Sequence, residues 1–316
     1  MPDLLHIRTP EEMARPAGRS QAGQVAGIGQ KRYQTGIFYF SQQRLRALKD
    51  AVNVHVASRE PGSWVSTSNI LSSLLWSAII EAEGHAPLHV DKSATDDDTR
   101  MSTLSFPVQF RSVFRPPLPR DFLGAAFVMT NARVLHKDVC LISHPGANSE
   151  SVAQDQEPNP ESWKETETET ETSVYSINIP ALAKVALAIR KSTQRIDDTA
   201  VRQVLAYLEA HPEVNQDAPL VLGPPRYDSG GSGTSVVSWA DQQVYELNWG
   251  AAIGHCNAVR LLKMGYDRDP IVLPRLPNLN GDGGGLEVIM SYEENAMRRL
   301  VEGSVMRRFA VLRCLS

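Results

Sequence analysis

Between Thr67 and Gly84 the sequence leaves little choice of structure. Ile70, Leu71, Leu74, Leu75, Ala78, Ile79 and Ala82 fall at i, i+3 and i+4 spacing, the period of an α-helix with an apolar face. Ser66 to Ser68 offer cap oxygens at its start and Gly84 a stop. So apolar a helix must be covered by other layers. A chain of 316 residues, 42% hydrophobic and 22% charged, can supply them. The length suits one large domain or two ordinary ones.

The elements around that helix are mixed. Residues 1–36 are rich in Arg, Gly, Gln and Pro without periodicity, and read as a flexible N-terminal arm. Ile37-Phe38-Tyr39-Phe40 suits a strand, and Ser41 then caps a helix bearing Leu45, Leu48 and Val52. Residues 104–134 read as strand, proline-rich turn, strand. The stretch 143–173 loses apolar content and holds four Glu-Thr repeats, Glu165 to Thr172, so it reads as a disordered acidic insert. Order returns at Pro180 with a stripe of Leu182, Val185, Ala186 and Ile189. Asp197 and Asp198 open another helix with Val201, Val204, Leu205 and Leu208. The Gly/Ser stretch 229–234 reads as a flexible loop. Strand-like runs follow at 235–239, 243–247, 271–274 and 286–290. Ser291 and Glu294 form a capping box for a last helix with Met297, Leu300 and Val301. The order of elements predicts an α/β sandwich of mixed sheet and helices, with 37–142 and 174–316 forming a single domain.

Several function classes drop out. A net charge of −4 lacks the basic surplus of a nucleic-acid binder. Cys140, Cys256 and Cys314 are too few and scattered for a disulfide framework or a C-x-x-C metal site. No run reaches the length of a membrane span. The first twenty residues have no signal-peptide core and carry Asp3, Glu11 and Glu12. A soluble, cytoplasmic protein with no membrane partner is the expectation. His85 and His89 are four apart, but Gly84 and Pro87 break the helix a metal pair needs, so no metal site is expected. Asp96-Asp97-Asp98 lacks the Gly and distal Glu of a calcium loop. Gly281-Asp282-Gly283-Gly284-Gly285 precedes a strand and lacks the Lys-Ser/Thr ending of a phosphate loop, which leaves a hairpin loop. Ser232 sits between glycines, but Thr234 breaks G-x-S-x-G.

What remains is an ordered set of weak motifs. Thr67 to Trp76 is followed by Val108-Gln109-Phe110-Arg111, Pro116-Pro117-Leu118-Pro119 and Phe122-Leu123-Gly124. Then come Ala188-Ile189-Arg190, Ser238-Trp239, Tyr245-Glu246-Leu247-Asn248-Trp249-Gly250, Leu273-Pro274-Arg275 and Gly285-Leu286-Glu287-Val288. The succession resembles the C-terminal half of BAHD-type acyl-CoA-dependent acyltransferases. It is most similar to the fungal branch that acylates secondary metabolites such as trichothecenes. The resemblance implies a chloramphenicol-acetyltransferase-like fold. It also implies acyl-CoA as co-substrate with no permanently bound cofactor, and a small hydroxylated metabolite as acceptor. In that family two such domains face each other across a channel, and a histidine of H-x-x-x-D in the first domain takes the acceptor proton.

Two departures stand out against the family. Its D-F-G-W-G motif reads Glu246-Leu247-Asn248-Trp249-Gly250, and the arginine that pairs with its carboxylate matches Arg111. The resemblance therefore implies a Glu246–Arg111 pair, with Trp249 packing at a structural loop. None of the eight histidines is followed four residues on by Asp. His255, five residues past Gly250, is the one weak substitute, with no carboxylate beside it in sequence. By the same resemblance Thr67, Ser68, Asn69, Ser235 and Ser238 lie near the pantetheine and phosphates of CoA, while ordinary capping explains the same residues. Three readings follow. The chain is a truncated acyltransferase lacking its general base; or it is a non-catalytic partner that docks onto a complete or split homologue; or it is an unrelated α/β binding module. The first predicts an exposed apolar face, and with it a missing N-terminal half or a homo-oligomer as partner.

Overall fold

The computed structural model describes residues 32–83, 100–119, 121–139, 141, 177–210, 232–261, 268–277 and 284–316. The acidic insert, the Asp96–Asp98 turn, His85, His89 and Cys140 lie outside them, as does most of the N-terminal arm.

The helix expected after Ser66 forms as α2. In chain order the elements are β1 (Tyr33–Ser41), α1 (Gln42–Arg59), α2 (Thr67–Glu83), β2 (Met101–Gln109), β3 (Phe127–Leu135), α3 (His136–Val139), α4 (Ile179–Gln194), α5 (Asp198–Ala210), β4 (Ser232–Ser235), β5 (Val237–Ser238), β6 (Arg268–Val272), β7 (Gly285–Glu293), α6 (Glu294–Glu302), α7 (Ser304–Phe309) and β8 (Val311–Leu315). Ser66 and Asn69 cap α2 reciprocally. The Asn69 amide donates to Ser66 Oγ (3.1 Å), and the Ser66 amide donates to Asn69 Oδ1 (2.9 Å). That is capping-box geometry with Asn in place of Glu. Helix α2 is buried on more than the predicted stripe. Trp76 and Ile80 join Ile70, Leu74 and Ile79 inside the main core, as expected for a helix enclosed on several sides. Helices α1, α4, α6 and α7 pack against it, as does β4.

Two sheets frame this helical layer. The larger has strand order β5-β6-β7-β1-β8 and the smaller β3-β2-β4. Strand β1 pairs antiparallel with β7, Tyr33 opposite Glu293 through Ser41 opposite Gly285. Strand β2 pairs antiparallel with β3 over its whole length, and parallel with β4 over Ser102–Ser105. Pro107 lies beyond that parallel stretch, where one neighbouring strand remains, as a residue without an N–H requires. In β7, Leu286, Val288 and Met290 enter the main core; Ile289 joins a small cluster with Ile37 and Leu273. Period-two alternation thus gives this sheet a helix face and an opposite face. Gly285 opens β7 where a Cβ would come 2.4 Å from Tyr39 Cε2 and 2.6 Å from the Phe40 carbonyl oxygen. Close packing therefore requires a glycine at position 285; Gly281 to Gly283 lie outside the described residues.

Several sequence expectations change. Strand β1 begins at Tyr33, so Tyr33–Gly36 belong to the sheet. Ser232–Thr234 form strand β4, because pairing beside Ser102 and Ser105 needs only backbone and tolerates small side chains. The run 243–247 makes a single 3₁₀ turn, Val244–Glu246, in place of the expected strand. Ser291 does not cap α6; it lies inside β7 and accepts a hydrogen bond from Thr35 Oγ1 (3.3 Å). Asn178 accepts from the Ala181 amide (3.0 Å) at the start of α4, with Pro180 in its first turn. Leu205 of α5 points to solvent, while Val201 and Val204 are buried.

Candidate functional site

The face of the large sheet away from the helices is covered by residues 239–261, the segment that carries the Trp-Gly motif. Trp239, Val259 and Leu261 pack on Ile37, Leu273 and Ile289. The segment leaves the sheet where the Trp239 amide donates to the Val272 carbonyl (2.8 Å). Its return leg is tied to its start, since the Val259 amide donates to Tyr245 Oη (3.1 Å). In between is a tight hairpin. Asn248 and His255 form an antiparallel bridge. The Trp249 amide donates to Gly254 O (2.8 Å), the Gly254 amide to Gly250 O (2.8 Å), and the Gly250 amide to Asn248 Oδ1 (2.9 Å). Gly250 has φ +91°, a conformation costly to any residue with a Cβ. Asn248 and Gly250 are thus turn residues by necessity.

The hairpin tip is apolar and open to solvent. Trp249 is 56% exposed, Leu247 50% and Ile253 75%. These three large side chains stand outside the core clusters of the described residues. His255 is exposed beside them. Among the described residues its imidazole has no carboxylate partner, so nothing there fixes its tautomer as a general base requires. Cys256 is a free, half-buried thiol.

The expected Glu246–Arg111 pair does not form. Glu246 lies exposed in the 3₁₀ turn and makes no ion pair among the described residues. Arg111 Nη2 donates instead to the carbonyls of Phe122 (3.0 Å) and Gly124 (2.8 Å), and its guanidinium lies 5.8 Å from the Phe122 ring centroid. The arginine clamps its own turn because two carbonyl acceptors stand within reach, while the carboxylate is on a solvated loop.

The buried carboxylate of this face is Glu287, on β7, 1% exposed. Arg260 Nη1 reaches its Oε2 at 2.9 Å and Arg260 Nη2 its Oε1 at 3.4 Å; Arg313 Nη1, from β8, reaches Oε1 at 3.0 Å. The Arg313 guanidinium also lies 4.0 Å from the Tyr39 ring centroid. A carboxylate taken this far from water persists only when paired, and removing its partners costs about 3–5 kcal/mol. In the sequence Glu287 stands inside the motif Gly285-Leu286-Glu287-Val288. Its signal was legible: one acid alone in the apolar run Leu286–Met290.

The residues proposed near CoA divide. Asn69 is buried and committed to the α2 cap with Ser66; Thr67 is half-buried and Ser68 exposed. Ser235 is buried on β4, whereas Ser238 is exposed and accepts from the Ala240 amide at 3.4 Å. Beyond this face, Asp198 binds both the Arg115 amide (2.8 Å) and Arg202 Nε (2.9 Å), and Arg202 returns a bond to the Arg115 carbonyl. Those bonds hold the Asp198 carboxyl below the ordinary carboxylate range, the Arg202 hydrogen bond contributing most. Among the described residues no group of three His, Cys, Asp or Glu could hold a metal, and no helix is long and apolar enough to cross a membrane.

No family model matches the chain. It is 25% identical over 293 residues to the O-acetyltransferase ptmV of Penicillium ochrochloron, spanning 88% of this chain and 51% of that protein. It is 24% identical over 310 residues to the O-acetyltransferase cpsE of Aspergillus campestris, spanning 93% of this chain and 53% of that protein. TRI101 of F. graminearum, crystallised with coenzyme A and T-2 mycotoxin, superposes with a TM-score of 0.58 at 16% identity, over 91% of this chain and 52% of that one. The chain resembles the BAHD-type fungal acyltransferases. Its fold is the chloramphenicol-acetyltransferase-like α/β sandwich of CoA-dependent acyltransferases. The chain spans about half the length of the BAHD-type relatives it matches.

Proposed function

We propose that this chain takes part in acyl transfer from acyl-CoA to a hydroxyl of a small secondary metabolite, in the cytoplasm, and supplies one wall of the reaction channel. The observation that carries the reading is the match along 88–93% of the chain to fungal O-acetyltransferases. The fold shared with a protein crystallised on coenzyme A supports it. In this chemistry an imidazole takes the acceptor O–H proton and the oxygen attacks the thioester carbonyl. The tetrahedral intermediate then collapses, and the CoA thiolate leaves with a proton. Within these 316 residues no H-x-x-x-D occurs, and His255 is unoriented. We assign the proton-abstracting histidine to a facing domain, with the exposed Leu247, Trp249 and Ile253 turned toward it. Thr67, Ser68, Asn69, Ser235 and Ser238 are the residues we propose to lie near CoA, of which Ser68 and Ser238 are exposed.

The test has two arms. Calorimetry with CoA on the chain alone is expected to show binding, and incubation with acetyl-CoA is expected to show no thioester turnover. Co-expression with an H-x-x-x-D-bearing first domain of a relative is expected to restore release of free CoA thiol in the presence of acceptor. No CoA binding in either form would remove the assignment. The missing motif favours one second reading, a non-catalytic partner. An assembly that binds CoA yet never transfers, while the relative alone does, would establish that reading instead.

A further inference from the structure

We propose that Glu287 is the positioning residue of the hairpin bearing Trp249 and Gly250, acting through Arg260, and that Arg313 serves strand β8 and not the hairpin. What the hairpin is for rests on the acyltransferase reading; how it is held does not. Among the described residues no side chain between Leu247 and Cys256 makes a hydrogen bond or ion pair to the sheet, and the hairpin's backbone bonds close on itself and the preceding turn. Its place over the sheet is therefore inherited from its two legs: the outgoing one is bonded at the Trp239 amide and the Ala240 carbonyl, and the return one carries the side-chain tie. There two adjacent residues are fixed on both sides. The Val259 amide meets Tyr245 Oη, the Val259 carbonyl accepts from Arg260 Nη1 (2.7 Å), and the Arg260 guanidinium straddles both oxygens of Glu287. A forked arginine on a carboxylate fixes direction as well as distance. Glu287 thus does from inside the sheet what the resemblance implied for Glu246.

The charge arrangement makes this separable from simple stability. One carboxylate faces two guanidinium groups, and Arg313 contacts Oε1 alone. Either arginine by itself neutralises Glu287, but only Arg260 belongs to the loop segment.

The chain is labelled with 5-fluorotryptophan, the Trp249 fluorine resonance is assigned with Trp249→Phe, and amide exchange is followed in parallel. Arg260→Ala is expected to shift or broaden the Trp249 resonance and to lower protection at the Trp249 and Gly254 amides by about tenfold or more. Its thermal midpoint should stay within about 3 °C of the parent, because Arg313 still pairs with Glu287. Arg260→Lys should recover part of the signal. Glu287→Gln should reproduce the Arg260→Ala loop signature, and Arg313→Ala should leave the Trp249 resonance and protection at parental values. An unchanged hairpin in Arg260→Ala, or an equal loosening in Arg313→Ala, overturns the proposal whatever CoA binding shows. Failure of the parent chain to bind CoA bears only on the acyltransferase reading.

Discussion

Trp76 on α2 donates its indole N–H to Ser102 Oγ on β2 across 2.9 Å, with both side chains fully buried. This bond ties the central helix to the small sheet and satisfies the only polar atom of the largest core residue. Ser102→Ala should orphan the indole donor and cost about 1–3 kcal/mol. Trp76→Ala should cost about 3–5 kcal/mol, the cavity included. Urea titration measures both; a Ser102→Ala midpoint equal to the parent would show that the bond contributes nothing.

Arg111 and Glu246 should respond independently. Glu246→Gln changes an exposed, unpaired side chain and should move stability by less than about 0.5 kcal/mol. Arg111→Ala removes two bonds to the carbonyls of Phe122 and Gly124 and should make residues 115–126 more open to protease. Arg111→Lys should restore part of the protection, since a single nitrogen, Nη2, donates to both carbonyls and a lysine ammonium keeps three donors. Limited proteolysis of the single and double variants decides it. Strong coupling between the two positions would reinstate the ion pair.

Asp198 gives the pH dependence a sign. Its folded carboxyl titrates below the ordinary value, held down by Arg202 and the Arg115 amide. A depressed acid contributes stability above its unfolded pKa and loses it as pH falls through the folded value. The tie between α5 and the turn at Arg115 should be intact at neutral pH and released only in acid. Asp198→Asn should flatten the acid side of the stability profile and leave the alkaline side alone. A parallel profile for both proteins would rule this out.

Gly285→Ala tests close packing at the head of β7. A Cβ there meets the Tyr39 ring and the Phe40 carbonyl inside contact distance, and overpacking of this kind costs about 1–3 kcal/mol. Tyr39→Ala beside it should relieve the ring clash but not the backbone one, so the double variant should recover only part of the loss in thermal unfolding.

Helices were legible because local rules and tertiary packing agree on them. The spacing of Ile70 to Ala82, Pro180 after Asn178, and Asp197 before α5 each found its place. Strands built from small residues were not, since Ser232–Ser235 forms β4 through a long-range parallel partner that no local pattern announces. Ser291 resembles a cap in the sequence because a capping box and a strand terminus share the same residue types. At the site, the motif loop was visible in Trp249 and Gly250, but its anchor was not. The likeness pointed to Glu246, whereas burial, which a sequence does not display, selects Glu287.

Strand β8 closes the large sheet on one side with Val311, Leu312 and Leu315 exposed along it. Natural sheet margins are usually blunted by charge or proline, yet the one cation of β8, Arg313, is already drawn to Glu287. Concentrated samples should therefore thicken by recruiting foreign strands along this border first, and a lysine written at Leu312 or Leu315 would be the simplest way to keep the preparation monodisperse.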